Sequence, residues 1–133
     1  MLERRESYEA LYDGFRWNIP QTFNIGTAIS NDWAKHAPER IALFEYRPGE
    51  TPATLTYGMF AAHSDALAAG LARAGIRRGD RVALLLPQSF ETAIAHAAIY
   101  KLGAIAVPLA LLFGAEALEY RLFTSGAAAV ITN

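Results

Sequence analysis

The sequence predicts a three-layer α/β fold, in which a parallel β-α-β-α-β sheet is joined by a small antiparallel strand pair. Val82–Leu86 is a continuous apolar run, typical of a strand that is covered on both faces. Ala104–Val107 and Ala128–Thr132 predict the next two strands, and stretches of helical periodicity separate all three. This alternation of strand and helix implies a parallel sheet with right-handed crossovers.

The chain begins with an arm that precedes this sheet. Residues 3–12 predict a short surface helix, and Gly14–Ile25 predicts an irregular segment. We therefore divide the chain into an amino-terminal arm, residues 1–26, and a partial α/β domain, residues 27–133. Three aromatic side chains are expected to anchor the arm: Phe15, Trp17 and Phe23.

A helix and a strand pair follow the arm. Thr27–His36 predicts one helix, because Ile29 and Trp33 stand four residues apart and share a face. Ile41–Tyr46 and Ala53–Tyr57 lie on either side of a Pro-Gly turn, which predicts two antiparallel strands.

The helices of the parallel sheet have clear end signals. Gly75 is placed to close the first of them in a left-handed conformation. Ser89 is a candidate N-cap for a helix over Phe90–Leu102, which stops at Gly103, and a last helix runs from Ala115 to about Thr124. The first helix is predicted from apolar positions that recur every three or four residues: Phe60, His63, Leu67, Leu71 and Ala74.

The predicted topology locates a ligand edge. In open parallel sheets, ligands bind outside the carboxyl ends of the strands, and these ends are followed here by Pro87–Ser89, by Leu109–Gly114 and by Asn133. The second loop leaves a strand and opens a helix, whose free N–H groups and positive dipole end suit an anion or a polar ligand edge. A packing loop is the alternative. The candidate contacts are Leu111, Leu112, Phe113 and Gly114.

No residue is predicted to be catalytic or to bind a metal. Ser89 lacks the flanking glycines of a nucleophile elbow. His36, His63 and His96 share no metal-ligand spacing, and the last two are expected to be buried structural histidines. The arginines around Asp80 are expected to form a solvated turn, since most of them lie at the amino end of the first parallel strand.

Composition excludes several other classes of protein. An apolar fraction of 53% and a charged fraction of 19% are typical of a globular domain, and a net charge of -1 gives no basis for binding nucleic acid. The absence of cysteine excludes disulfides and thiolate metal sites and fits a cytoplasmic location. The charged start is not a secretory signal. The longest apolar stretch, Ala93–Phe113, is too interrupted for a membrane span.

Several motifs in order resemble the adenylate-forming superfamily of acyl-CoA synthetases, luciferases and adenylation domains. Leu55–Phe60 resembles its first core motif and Tyr100–Leu109 its second. The segment Trp17–Ile25, which leads into Asn31–Ala34, looks most like acetyl- and medium-chain acyl-CoA synthetases. The likeness also extends to these segments: Gly79–Leu84, Leu86–Ser89, Glu116–Leu122 and Ser125-Gly126.

The resemblance implies the amino-terminal part of an enzyme that activates a carboxylate with ATP to form an acyl-adenylate and then passes the acyl group to a thiol. ATP, Mg and CoA are implied for that enzyme, and the loop Leu111–Gly114 is expected near the CoA nucleotide. The family's phosphate loop ends in a lysine, and Thr124–Ala127 does not match it. A piece without independent ligase activity is therefore expected. It would contact the remainder of the synthetase or associate with itself through Leu109–Phe113 and its last strand.

Two alternatives stay open at this point. The chain is also compatible with the start of a peptide-synthetase adenylation domain, although the segment Trp17–Ile25 argues against it. A self-contained flavodoxin-like binding or signalling module is the other alternative. It would lack both the acidic cluster of a receiver domain and the Gly-rich turn of a dinucleotide binder.

Overall fold

The computed structural model describes residues 4–133. The helices are α1 (Tyr8–Gly14), α2 (Ile25–Ile29), α3 (Asn31–His36), α4 (Tyr57–Arg73), α5 (Phe90–Lys101) and α6 (Ala115–Ser125). The strands are β1 (Ile41–Glu45), β2 (Ala53–Thr56), β3 (Arg81–Leu85), β4 (Ile105–Pro108) and β5 (Ala129–Thr132).

Strand β3 is the centre of a parallel sheet with the order β4-β3-β5. Its residues Val82, Ala83 and Leu84 are at most 2% exposed, which is why the sequence shows an unbroken apolar run there. The chain moves from β3 to β4 on one side and then back past β3 to β5. Right-handed crossovers in opposite directions put α5 and α6 on opposite faces of the sheet. The predicted α/β fold is confirmed.

The main core lies between the sheet and helices α4 and α5. Val82 and Leu84 contact Ala95 and Ile99 of α5, and Leu67 and Leu71 of α4 pack against the same cluster. Small residues let the helices approach closely. A methyl group added at Gly26 of α2 would lie 2.6 Å from the carbonyl oxygen of Ala97.

The antiparallel pair β1-β2 forms a second layer of packing beside the helices. Leu43 pairs with Leu55 and Glu45 with Ala53, and an irregularity in register separates Ile41 from Leu43. Leu55 is buried with Phe60 and Ala97, so the pair is joined to α4 and α5 through one apolar cluster. The predicted antiparallel unit is confirmed.

The prediction of a single helix over Thr27–His36 was wrong in one respect. The structure has two helices there, α2 and α3. Ser30 adopts φ -129° and ψ -77° and separates α2 from α3. Its buried hydroxyl donates to the carbonyl of Gly26 and contacts Asn31 Oδ1 at 2.9 Å. The break lies in these non-helical backbone angles and not in the hydroxyl bond to the carbonyl four residues earlier, because Ser64 makes the same bond inside α4.

Other boundaries shift by a few residues. The first helix covers Tyr8–Gly14, and residue 3 of its predicted range lies outside the described residues. Tyr57 begins α4 and does not belong to β2. Gly75 has φ 96°, and Ile76 N–H donates to the Leu71 carbonyl, so the predicted helix end is confirmed.

Candidate ligand edge

Strands β3, β4 and β5 end at the same edge of the sheet. Two clefts open near this edge, the first with a volume of about 710 Å³ and the second with a volume of about 600 Å³. We call the second one the edge cleft. It lies between α4, α5 and the end of β5, and Asn133 is one of its lining residues, as the predicted ligand edge requires. The lining is Leu55, His63, Leu67, Leu86, Phe90, Glu91, Ile94, Ala95, Ile131, Thr132 and Asn133.

The candidate loop Leu111–Gly114 lies at the end of β4 and outside the lining of both clefts. Leu112 is 97% exposed and Leu111 53%. Phe113 is half-buried, because the guanidinium carbon of Arg121 lies 3.9 Å from its ring centre. Gly114 is the N-cap of α6 and offers no side-chain acceptor to the first turn. The loop therefore presents apolar side chains and free main-chain donors to solvent.

Ser89 lies at the N-cap of α5 with extended backbone angles, as predicted. Its hydroxyl does not accept from the first turn of the helix. It bonds to Glu91 instead, and this hydrogen bond, with one from the main chain and the charge of Arg47, lowers the pKa of Glu91. Glu91 lies in the first turn of α5, where a negative charge stabilises the start of a helix.

The three histidines lie on three different helices. The His96 ring is half-buried, with Nδ1 2.9 Å from the Thr92 carbonyl, in agreement with a structural role. The prediction was wrong for His63, which is exposed on α4 at the edge cleft. Across residues 4–133, no group of three His, Cys, Asp or Glu side chains could hold a metal ion.

The arginine cluster has two different parts. Arg77 and Arg78 are exposed in a turn where Asp80 accepts from the Arg77 N–H, as expected of a solvated turn. Arg81 differs from that expectation. Its Nε donates to the Ser125 carbonyl at 3.0 Å and its Nη2 to the Gly126 carbonyl at 2.9 Å. Arg81 thus attaches the end of α6 to β3 at the amino end of the sheet.

A polar network around Lys101 was missed by the sequence analysis. The Lys101 side chain is 8% exposed, and its Nζ lies 2.8 Å from Asp65 Oδ1 and 2.7 Å from Ser64 Oγ. Asn31 Nδ2 donates to the other oxygen of Asp65. Burial would raise the pKa of Asp65, but the hydrogen bonds from Lys101 and Asn31 outweigh it and lower that pKa. The network joins α3, α4 and α5.

The larger cleft was missed as well. It has a volume of about 710 Å³ and lies between strand β1 and one face of α5. We call it the aromatic cleft. Three α5 residues along it, Ala93, His96 and Tyr100, are spaced three and four positions apart. This helical spacing is the feature of the sequence that could have revealed the cleft. Its rings are Phe44, Tyr46, Tyr57, Phe60, Phe90, His96 and Tyr100.

Across residues 4–133, no helix combines the length and the apolar character that crossing a bilayer requires.

Comparison with known proteins identifies the class of protein that this architecture represents. Residues 30–133 match the family model of the AMP-binding enzymes, so the chain belongs to that family. The resemblance to the adenylate-forming acyl-CoA synthetases is thereby confirmed. Membership of this family argues against the self-contained flavodoxin-like module.

Several of the relatives are acyl-CoA synthetases or ligases. The chain is 28% identical to an acetyl-coenzyme A synthetase of Vibrio vulnificus over 97% of its own length and 20% of that protein. It is 37% identical to a long-chain-fatty-acid–CoA ligase of Mycobacterium tuberculosis over 65% of its length and 17% of that protein. The crystal structure of a Brucella canis acyl-CoA synthetase superposes with a TM-score of 0.76 and 34% identity, over 85% of this chain and 20% of that one. The chain thus spans about a fifth of such relatives.

Proposed function

We propose that this chain is the amino-terminal part of an ATP-dependent acyl-CoA synthetase. In the proposed reaction, a carboxylate attacks the α-phosphorus of ATP to give an acyl-adenylate and pyrophosphate. The CoA thiol then attacks the acyl carbon, and AMP leaves. The observation that carries the proposal is the family match over residues 30–133, together with a parallel sheet whose ligand edge is open.

We propose a short- or medium-chain acid as the substrate, which would place the enzyme in fatty acid metabolism. Support comes from the arm, since Trp17–Ile25 resembles the acetyl- and medium-chain synthetases. The alignment with the Vibrio vulnificus acetyl-coenzyme A synthetase covers 97% of the chain and therefore takes in this segment. The alignment with the long-chain ligase covers 65%.

Within such an enzyme, this chain would supply one wall of the ligand site. The loop Leu111–Gly114 is the proposed contact on the CoA side, because Gly114 leaves main-chain donors of α6 open and the neighbouring leucines are exposed. Donors of this kind suit a phosphate or an amide oxygen. Mg fits the described residues poorly, since no group of three His, Cys, Asp or Glu side chains among residues 4–133 could hold a metal ion. We assign Mg, and with it the ATP phosphates that it would accompany, to the remainder of the synthetase.

The remainder of the synthetase is also the proposed partner of the face that carries α6 and β5. Large apolar side chains are exposed there, at 86% for Phe123, 50% for Ile105 and 44% for Val130. Patches of this type mark surfaces that are covered by another part of a protein or by a partner. On composition we further propose a cytoplasmic location, because a chain without cysteine gains nothing from an oxidising compartment.

Two measurements test this proposal. ATP–pyrophosphate exchange by the isolated chain, with acids from acetate to palmitate, should stay at background. A hybrid in which this chain replaces the matching part of the Vibrio vulnificus acetyl-coenzyme A synthetase should exchange in the presence of acetate.

The matched control hybrid carries Gly103→Val, because Gly103 has φ 66° and a branched side chain is strained there. Exchange by the isolated chain would contradict the proposed inactivity. A hybrid that melts cooperatively but shows no exchange would contradict the proposed reaction.

A further inference from the structure

Helices α2 and α3 form a strap that packs on α5 and α4, and this strap buries little apolar surface. We define the strap as residues 24–36, from the N-cap of α2 to the last residue of α3. Of these residues, Gly26 and Ser30 are the buried ones. The large apolar side chains of the strap are 39–50% exposed: Ile25, Ile29 and Trp33. Apolar burial therefore contributes little to its attachment, because this contribution scales with the area removed from water.

The start of the strap is attached to the last turn of α5. Asn24 Nδ2 donates to the Lys101 carbonyl at 3.0 Å, and Asn24 Oδ1 accepts from the Thr27 N–H. At Gly26 the two backbones approach closely, since a Cβ there would lie 2.6 Å from the Lys101 nitrogen. This end of the strap thus depends on the position of Lys101.

The Lys101 side chain extends from α5 to α4. Its Nζ lies 2.8 Å from Asp65 Oδ1 and 2.7 Å from Ser64 Oγ, and it donates to the Ala61 carbonyl at 3.3 Å. All three acceptors belong to α4. The side chain is 8% exposed. A buried ammonium is costly unless it is paired and hydrogen-bonded, so these acceptors fix Lys101 in one position between the two helices.

The carboxylate of Asp65 also holds the middle of the strap. Asn31 Nδ2 donates to Asp65 Oδ2 at 2.8 Å, and Lys101 takes the other oxygen. Asn31 Oδ1 in turn lies 2.9 Å from the Ser30 hydroxyl, at the junction of α2 and α3. Lys101 is therefore connected to both helices of the strap, to α2 through its own carbonyl and to α3 through Asp65.

The far end of the strap has a different kind of attachment. Trp33 stacks on Tyr57 with ring centres 5.3 Å apart, and the Arg40 guanidinium lies over the Trp33 ring. An exposed ring contact is weaker than a charge-assisted hydrogen bond. Just beyond the strap, the Pro38 carbonyl accepts from the Gly58 N–H and the Arg40 carbonyl from the Tyr57 N–H. These main-chain bonds hold the chain after the strap to the start of α4, where they form a hinge.

We propose that Lys101 is a latch for the strap, and that the strap opens as one unit while the rest of the chain stays folded. No strap residue belongs to either apolar cluster of the described chain, so the core is unchanged when the strap opens. Segments with few buried apolar contacts open at a lower free energy than the core. Ile29 of the strap lines the aromatic cleft, so the same movement widens that cleft.

Hydrogen exchange followed by mass spectrometry measures the opening of each segment. In the unmodified chain, the amides of the strap should be less protected than those of β3 by about tenfold or more, because the strap opens without the core. Lys101→Met keeps an unbranched side chain and removes the ammonium, so it should lower the protection of the strap by about tenfold again. Equal protection of the strap and β3 in the unmodified chain would overturn the proposal.

Lys35→Met is the matched control, since the same substitution removes an exposed lysine of the strap. Lys35 pairs with Asp32 inside α3 and its side chain is 65% exposed, so protection of the strap should stay unchanged. A loss as large as that in Lys101→Met would show that the buried ammonium has no special role, and the latch would be wrong.

Ile99→Ala tests whether the strap is a separate unit. Ile99 lies in the main core, which stays folded in the open state. Its removal should therefore lower the protection of β3 and leave that of the strap unchanged, because only unfolding of the whole chain becomes easier. Equal losses in the strap and β3 would mean that the strap opens only when the whole chain unfolds, which would overturn the proposal.

Asn31→Ala breaks the latch without altering the buried lysine, and it decides the question if Lys101→Met impairs folding. Asn31 is half-buried and connects the strap to Asp65. Its loss should lower the protection of α2 and of α3 alike, by about threefold or more. A loss confined to α3 would overturn the opening of the strap as one unit. Unchanged protection in Asn31→Ala would overturn the latch.

Discussion

The two faces of the parallel sheet differ in how completely this chain covers them. On the α5 face, Ile99 and Val82 are fully buried and Ala95 is 1% exposed. On the α6 face, no residue of α6 is buried, and Phe123 is 86% exposed. The α5 face therefore carries most of the stability of the isolated chain, and the α6 face depends on contacts from elsewhere. Substitutions on the two faces should differ accordingly.

The largest effect is expected for Ile99→Ala in the α5 face. Removing a buried isoleucine leaves a cavity and costs about 2–5 kcal/mol of unfolding free energy. Phe123→Ala is the matched substitution on the α6 face and should stay within about 0.5 kcal/mol. Urea denaturation followed by circular dichroism measures both. Equal losses would show that the two faces contribute alike.

The close approach of α2 to α5 should produce the next largest effect. In Gly26→Ala, the new methyl would lie 2.6 Å from the Ala97 carbonyl oxygen and 2.6 Å from the Lys101 nitrogen. Backbone atoms cannot yield easily, so we expect a loss of about 1–3 kcal/mol. Gly14→Ala is the control, since its Cβ meets nothing within 4 Å. A neutral Gly26→Ala variant in urea denaturation would contradict this packing.

The Lys101 network should make the α5 face sensitive to acid. The pKa of Asp65 is lowered from 3.8 in the folded chain. Its carboxylate therefore contributes stability that is present above the unfolded pKa and is lost as pH falls through the folded pKa.

Asp65→Asn should flatten the dependence of melting temperature on pH in this acidic range. The effect should be modest, because the Asp65 side chain is 54% exposed. Asp32→Asn is the control and breaks an exposed ion pair with Lys35. Unchanged acid sensitivity in Asp65→Asn would exclude the network as its source.

The smallest effect is expected on the α6 face, at Arg121. Arg121→Gln removes the cation over Phe113, a contact worth about 0.5–1 kcal/mol at an exposed site. Global stability should change little, but proteolysis at Leu111–Leu112 should become faster, because the loop loses its attachment to α6. Arg77→Gln in the exposed turn should leave the cleavage rate unchanged. Equal cleavage rates in the two variants would contradict this role.

Much of the fold could be predicted because its signals are local. The apolar run at Val82–Leu86 and the helix ends at Gly75 and Gly103 follow from side-chain pattern and from the backbone freedom of glycine. The position of Ser89 at a helix start is equally local. Signals that combine two distant segments were missed. Arg81, for example, donates to carbonyls that lie 44 and 45 residues further on.

For the candidate ligand edge, too, one part could be predicted from the sequence and another part could not. Its position was predictable, since parallel strands end together and Asn133 follows the last of them. The partners of its residues were not. His63 is exposed where its helical period suggested burial, and the half-buried ring of Phe113 has the guanidinium of Arg121 over it.

The succession of strands and helices, the parallel sheet and the resemblance to acyl-CoA synthetases could all be predicted from the sequence alone. These depend on residue type and spacing along one segment at a time. The folded chain was needed to show which surfaces are buried, that Lys101 lies among Ser64, Asp65 and a carbonyl of α4, and that a cleft lined by rings opens beside α5. Burial is a property of several segments together, because each side chain is covered by neighbours that are remote in sequence.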